Sequence, residues 1–403
     1  MLASEVNDMS AFPADFRERT KDLKVAIVHY WLVNMRGGEK VVEALLDLFP
    51  QAVIITHVYD RDKISDKINA QEIRETFVSR LPGARKHYQK YLPFMPRALE
   101  QMDLQEFDLV ISSESGPAKG IIPRPDATHL CYCHSPMRYI WDHYHAYRSS
   151  AGRLARMAMP SLAHRLRIWD VTTAMRVDRF AANSGFVSQR IKSFYRREAD
   201  VIFPPVACAE FAPVPAEEVG DHYLLAGELV AYKRPDLAVD AFTQSGRKLV
   251  VVGDGEMRAS LEARAGSNVT FMGRVPFAEL KRQFASCRAL VFPGEEDFGI
   301  VPVEVMASGR PVVAYASGGA LDTVIPGVSG VYFEGQTVSD LNAAIEQIEA
   351  SPLLEASSDI RAHALKFDEA VFQAQFAQFA LSALDEKGTC RRFDGAGAHA
   401  DQT

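Results

Sequence analysis

Short apolar runs recur at regular intervals through the second half of the chain. Segments 223–229, 248–252, 269–272, 290–292, 311–315 and 331–333 each read as a buried strand. Between them, 235–243, 255–264, 277–287 and 338–350 place apolar residues three and four apart, the spacing of a helix with one buried face. Strand alternating with helix predicts a parallel, doubly wound sheet. The first half shows the same alternation more loosely. Strands are predicted at 24–30, 51–59, 108–112, 128–133 and 179–184, and a helix after residue 38 carries Val41, Val42, Leu45, Leu46 and Phe49 on one face. Residues 366–385 have apolar positions at helical spacing and predict one long helix.

These patterns divide the chain. Residues 1–22 are polar and predict a disordered N-terminus, 23–204 a first domain, and 205–365 a second. Four prolines without periodicity in 201–215 read as the linker between them. The helix 366–385 follows, and 386–403 reads as a disordered tail. The length of 403 residues suits two domains. No apolar run approaches the length of a membrane span, and the first residues have no apolar core flanked by basic residues, so neither a transmembrane helix nor a signal peptide is expected. Five scattered cysteines suit reduced thiols in a cytoplasmic protein.

Charge sharpens the division. Formal charge is +7 over 24–204 and −12 over 205–403, so the net −7 conceals a basic first half and an acidic second half. The first half is therefore expected to meet an anionic partner. Segment 80–97 holds five basic residues and no acid, and 137–169 mixes arginines with Trp and Tyr around a single acid, Asp142. Basic residues interleaved with aromatics suit an anionic membrane surface, or alternatively an ordinary basic face over a packed aromatic cluster. No nucleic-acid-binding motif is present, and the acidic second half argues against such a partner.

Candidate chemistry concentrates in 290–319. A strand ends at Pro293-Gly294, an acidic loop carries Glu296, Pro302 suits a helix start, Glu304 falls in the first turn, and Gly309 suits the helix exit. Glu296 and Glu304 thus flank the C-terminal end of a strand, the edge at which open α/β sheets bind ligands. Backbone N–H groups of 297–300 can point into the same crevice. In the first half, a strand, Gly37-Gly38 and a helix form a layout that attracts anions, though without a P-loop or dinucleotide fingerprint. His134 sits at the end of a strand with Pro136 after it. Asp60-Arg61-Asp62 reads as a polar turn in preference to a metal site, since nothing nearby supplies further ligands.

The order strand, Pro-Gly, Glu296, Glu304, Met-Ala-Ser-Gly-x-Pro and Gly318-Gly319 resembles the donor-site signature of family 4 glycosyltransferases (glycosyltransferase group 1). The resemblance runs from about Lys24 to Asn342 and looks nearest to bacterial mannosyltransferases of surface polysaccharide synthesis. It implies the GT-B fold, with two Rossmann-like α/β domains facing each other across a cleft and a last helix returning to the first. The implied reaction is retaining transfer of a hexose from a nucleotide-sugar, GDP-mannose first and UDP-glucose second, to a hydroxyl of a lipid-linked saccharide. It implies no metal or other cofactor.

The resemblance also implies roles. Glu304 would hold the nucleotide ribose, and Glu296 would lie near the transferred sugar. Backbone N–H groups of Phe298, Gly299 and Ile300 would bind sugar hydroxyls or phosphate. Lys233 would neutralise the leaving diphosphate, Gly37 and Gly38 would let a loop approach it, and His134 would face the donor sugar. Base contacts would come from 273–275, ending at Val275. One departure stands out: the family's usual arginine five residues before Lys233 is replaced by Glu228, with Arg234 or Arg36 as candidate compensation. Glu228 therefore keeps a non-catalytic binding subunit of a polysaccharide complex in view, alongside another GT-B enzyme such as a nucleotide-sugar epimerase.

Overall fold

The computed structural model describes residues 12–388. The described residues form two units: 12–205 together with 370–388, and 206–369.

The first unit is built on a seven-stranded sheet. Its strands are β1 (Val25–His29), β2 (Val53–Thr56), β3 (Ile73–Glu75), β4 (Leu109–Glu114), β5 (Thr128–Cys133), β6 (Arg179–Ala182) and β7 (Ala199–Val201). They run in the order β3-β2-β1-β4-β5-β6-β7, and every pairing is parallel. Strand alternation assigns the two faces. Val25 and Ile27 of β1 join a core with Leu45 and Leu46 of the helix Gly37–Leu48, while Ala26 and Val28 join Leu104, Phe107 and Ile121 on the opposite face. The helix Glu369–Lys387 packs on the first of these faces, contributing Phe372, Phe376, Ala380 and Leu384. Its apolar residues encircle most of its circumference, as burial on several sides requires.

The second unit has six strands, β8 (Tyr223–Ala226), β9 (Leu249–Val252), β10 (Val269–Gly273), β11 (Leu290–Phe292), β12 (Val312–Tyr315) and β13 (Gly330–Phe333). They run in the order β10-β9-β8-β11-β12-β13, again all parallel. Leu225, Val251, Val291 and Val313 meet Leu237, Phe242, Leu341 and Ile345 of the covering helices Pro235–Ser245 and Val338–Glu349. In both sheets the strand order reverses once. The reversal lies between β1 and β4 in the first unit and between β8 and β11 in the second.

The structure corrects several expectations. The N-terminal segment is not disordered throughout: Phe16–Thr20 is a helix, and Phe16 is fully buried with its ring edge-on to Phe49 at 5.5 Å from Phe12 and 5.4 Å from Phe49. Residues 1–11 lie outside the described residues, as do 389–403, and the last helix extends through Lys387. Two strands were not anticipated, β3 and β7, each three residues long with no fully buried side chain to mark it. Segment 137–169 is largely helical: Arg153–Ala174 is one helix that continues through Pro160. Finally, Glu304 lies in the second turn of its helix, because Ile300–Ala307 begins only at Ile300.

Candidate functional site

Ligands of open parallel sheets bind outside the carboxyl ends of the strands where the order reverses. In the second unit this is the end of β8 and β11, and a recess there is lined by Ala226, Gly227, Glu228, Lys233, Pro293, Gly294 and Glu296. Lys233 closes a turn after β8, Ala231–Lys233, and Glu296 stands in the loop after β11. Their side chains meet, with Lys233 Nζ 2.8 Å from Glu296 Oε1 and both side chains 22% exposed. Burial is the largest single influence on Lys233 and opposes its charge, but the Glu296 carboxylate, Tyr232 and Glu228 together outweigh it, and the net effect raises the lysine above its ordinary value.

Gly294 makes this approach possible. A Cβ there would stand 2.5 Å from Lys233 Cα, so the two loops can cross only over a glycine. On the other side, Gly319 N–H donates to the Glu296 carbonyl at 2.8 Å, which ties the Gly318-Gly319 pair to the acidic loop. Gly299, with φ of 85°, then starts the helix Ile300–Ala307, and the Phe298 ring is buried against Phe367 at 5.8 Å. The backbone N–H groups of Phe298, Gly299 and Ile300 therefore stand at a helix start beside β11, where the dipole favours an anion.

Glu304, on the same helix, is half-buried; its carbonyl accepts from Ser308, whereas its carboxyl makes no hydrogen bond or ion pair among the described residues. Desolvation, together with the nearby charge of Glu210, pushes its carboxyl up to about 7. A carboxylate held without a partner is available to accept from two adjacent hydroxyls. Val275 follows β10, on the same carboxyl edge two strands from β8.

Arg234 is differently employed. Its guanidinium bonds the Asp236 carboxylate at 3.2 Å and the Gln336 side chain, and Gln336 in turn donates to the Pro293 carbonyl. It braces the loops around the recess and is already neutralised by an acid. Glu228 is exposed on the rim and contributes negative charge beside Lys233.

The reversal point of the first unit gathers Gly37, Gly38 and His134. Gly37-Gly38 open the helix Gly37–Leu48 directly after the β1 loop, and His134 follows β5, its backbone N–H donating to the Glu114 carbonyl at 2.8 Å. His134 Nε2 is 2.8 Å from Ser113 Oγ, and burial, with His29 adding, pushes its pKa down to about 3, so its imidazole is neutral. Below it lies a cluster not anticipated from sequence. Fully buried Lys119 contacts Glu114 at 3.3 Å and also Asp170, which accepts from Trp141 Nε1 at 2.8 Å and Tyr195 Oη at 3.0 Å. These partners lie up to 51 positions apart, so no local pattern announces them. Asp60 of the Asp-x-Asp run pairs with Lys63 at 3.2 Å. Among the described residues, no group of three or more His, Cys, Asp or Glu side chains is arranged to hold a metal ion.

The chain is similar to known proteins in sequence and in fold. Residues 210–367 match the family model described as glycosyl transferases group 1. The D-inositol 3-phosphate glycosyltransferase of Mycobacterium marinum is 29% identical over 196 residues, 42% of this chain and 41% of that protein. A GDP-mannose-dependent monoacylated alpha-(1-6)-phosphatidylinositol monomannoside mannosyltransferase of Corynebacterium glutamicum is 30% identical over 145 residues, 32% of this chain and 38% of that protein. The chain thus spans less than half the length of these curated relatives. Among solved structures, Anabaena HepE in complex with UDP superposes with a TM-score of 0.66 at 17% identity, covering 89% of this chain and 100% of that one. Sucrose-phosphate synthase from Thermosynechococcus elongatus does so with a TM-score of 0.66 at 17% identity, covering 90% and 100%. Residues 210–367, nearly all of the second unit, are thus similar to glycosyl transferases group 1, and the chain has the GT-B fold.

Proposed function

We propose that this protein is a glycosyltransferase that moves a hexose from a nucleotide-sugar to a saccharide hydroxyl, with retention at the anomeric carbon. The observation that carries the reading is the Lys233–Glu296 pair at the reversal point of the second sheet. An ammonium held against a carboxylate can turn to a diphosphate as negative charge develops on the leaving group, which frees the carboxylate to accept from sugar hydroxyls. Glu304 takes the ribose diol, and the N–H groups of 298–300 take phosphate or sugar oxygens. The donor charge is met by Lys233 and the helix start, so transfer is expected to persist in EDTA.

GDP-mannose is the first donor to test, on the strength of the mannosyltransferases among the relatives, and UDP-glucose the second, since HepE was solved with UDP-glucose. The acceptor is proposed to be a lipid-diphosphate-linked saccharide at an anionic membrane surface on the cytoplasmic side, in polysaccharide assembly. The helix Arg153–Ala174 supports this. Leu154, Met157 and Met175 are each more than three-quarters exposed, and Ile168 over half, at positions that share a face, with Arg153, Arg156 and Arg165 exposed beside them. No described helix is long and apolar enough to cross a membrane.

The direct experiment incubates the protein with each donor and a lipid-linked saccharide in EDTA, and reads the anomeric configuration of the product by NMR. An α-linked product from an α-donor supports the reading, and an inverted product or free sugar alone defeats it. Glu228 favours one second reading, a binding subunit without transfer, because an exposed carboxylate on the rim opposes a diphosphate. On that reading Glu228→Arg would restore donor binding absent from the natural chain.

A further inference from the structure

At the reversal point of the first sheet, three side chains and a carboxylate form a single row. His29 ends β1 and is in register with Ser113 of β4, and His134 follows β5. His29 Nδ1 is 3.0 Å from Ser113 Oγ, and the same Oγ is 2.8 Å from His134 Nε2. At the other end, His29 Nε2 faces Glu39 Oε1 at 3.6 Å and makes no hydrogen bond. His29, Ser113 and Glu39 are buried, whereas His134 is partly exposed, and its Nδ1 makes no hydrogen bond among the described residues. Gly38 lies against the row. A Cβ there would come within 3.2 Å of His29 Cε1, so a side chain at the start of the helix would press on the ring.

The row has a polarity, fixed from its buried end. As a carboxylate, accepting the Arg36 backbone N–H on Oε2 at 2.9 Å, Glu39 would have no proton to give. The ring edge that faces it therefore carries the proton, because a lone pair there would oppose the negative charge. With Nε2 protonated, a neutral His29 offers Nδ1 as an acceptor, and the Ser113 hydroxyl donates to it. That spends the single hydroxyl proton, so Ser113 Oγ accepts from His134, and His134 carries its proton on Nε2. Its exposed nitrogen, Nδ1, is then a bare lone pair.

We propose that Glu39, His29 and Ser113 are positioning residues that hold His134 as the Nε2–H tautomer, so that its Nδ1 is an obligate hydrogen-bond acceptor for a hydroxyl of a sugar bound at this sheet edge. The sugar rests on the transferase reading above, whereas the tautomer does not. The partner of a histidine's second nitrogen commonly sets which proton the first presents, and loss of such a partner costs on the order of 10–100-fold at metal centres. A sugar lacking the recognised hydroxyl, or carrying fluorine in its place, has no proton to give and is discriminated against.

The test is the long-range 1H–15N spectrum of the full chain labelled at histidine, recorded at pH 7 without ligand, with the His134 signals assigned from His134→Gln. The expected result is a protonated Nε2 and a pyridine-like Nδ1. A proton on Nδ1, as a doubly protonated His29 would impose by donating to Ser113 and reversing its hydroxyl, overturns the proposal whether or not the protein transfers sugar. The second arm compares Ser113→Ala with Ser113→Thr. The alanine variant is expected to show mixed His134 tautomers and about tenfold lower kcat/KM, with both restored by threonine. Unchanged tautomers or unchanged kcat/KM in a folded alanine variant would also overturn it, and if that variant does not fold, the spectrum of the natural protein still decides. The expected tautomer in a protein that transfers no sugar would remove the transferase reading and leave the row intact.

Discussion

Lys233 Nζ and Glu296 Oε1 lie 2.8 Å apart although they come from loops after different strands, and Gly294 is what lets those loops meet. The pair therefore couples two halves of the recess, and the Glu296 carboxylate raises the pKa of Lys233. Glu296→Gln should lower the Lys233 pKa and lower turnover by about 10²–10³-fold with little change in donor Kd. Lys233→Met should lower turnover similarly and also weaken donor binding. Single-turnover kinetics beside donor titration separates the two, and equal losses of binding in both variants would contradict the assigned roles.

Gly294→Ala tests the crossing itself. The added methyl meets backbone, which cannot swing aside, so the Lys233 loop must shift. The variant should fold, with a stability loss of about 1–3 kcal/mol in a urea titration, and should lose donor binding.

Glu304 predicts a pH dependence. Its folded-state carboxyl is raised to about 7 by desolvation and by Glu210, so the neutral acid is the favoured form in the folded protein. The stability it contributes is present below the ordinary carboxylate range and is lost as pH rises to about 7. Wild type should therefore lose stability relative to Glu304→Gln across this window, measured by thermal melts. Donor binding should run the other way, tightening as the carboxylate forms, and should be flat with pH in Glu304→Gln.

Much of this was legible in the sequence, for identifiable reasons. The second sheet announces itself because most of its strands are buried on both faces and alternate with regular helices. Glu296 and Lys233 stand in loops after strand ends, where turn residues mark the edge, and Glu304 on the helix that follows. The first unit was less legible. Ile73–Glu75 is a half-buried strand with two charges in three residues, and Arg153–Ala174 carries a proline and too many arginines to look like a packed helix. Phe16 is buried by Phe49, a contact with no local signature, and Lys119, Glu114 and Asp170 find one another only through the fold.

The buried lysine makes a stability prediction. Lys119→Met leaves Glu114 and Asp170 facing each other without a cation and should cost about 3–5 kcal/mol in chemical denaturation. Because burial already pushes the Glu114 carboxyl upward, the variant should bind a proton there on folding, and the loss should shrink at low pH. A loss independent of pH would contradict this account of the cluster.

The exposed helix predicts the membrane contact. Replacing Arg153, Arg156 and Arg165 by Gln should weaken sedimentation with vesicles containing anionic lipid, most at low salt, while Leu154→Ser with Met157→Ser should weaken it at all salt concentrations. Unaltered sedimentation in both variants would remove the membrane from the reading.

The most direct measurement is thermal stabilisation by a panel of nucleotide-sugars, with and without EDTA, in the natural protein and in Glu304→Ala. The account predicts selective stabilisation by GDP-mannose or by a UDP-hexose, unchanged by EDTA and lost in Glu304→Ala. Absence of a shift with any nucleotide-sugar, or the same shift in Glu304→Ala, would contradict a donor site at the carboxyl edge of the second sheet.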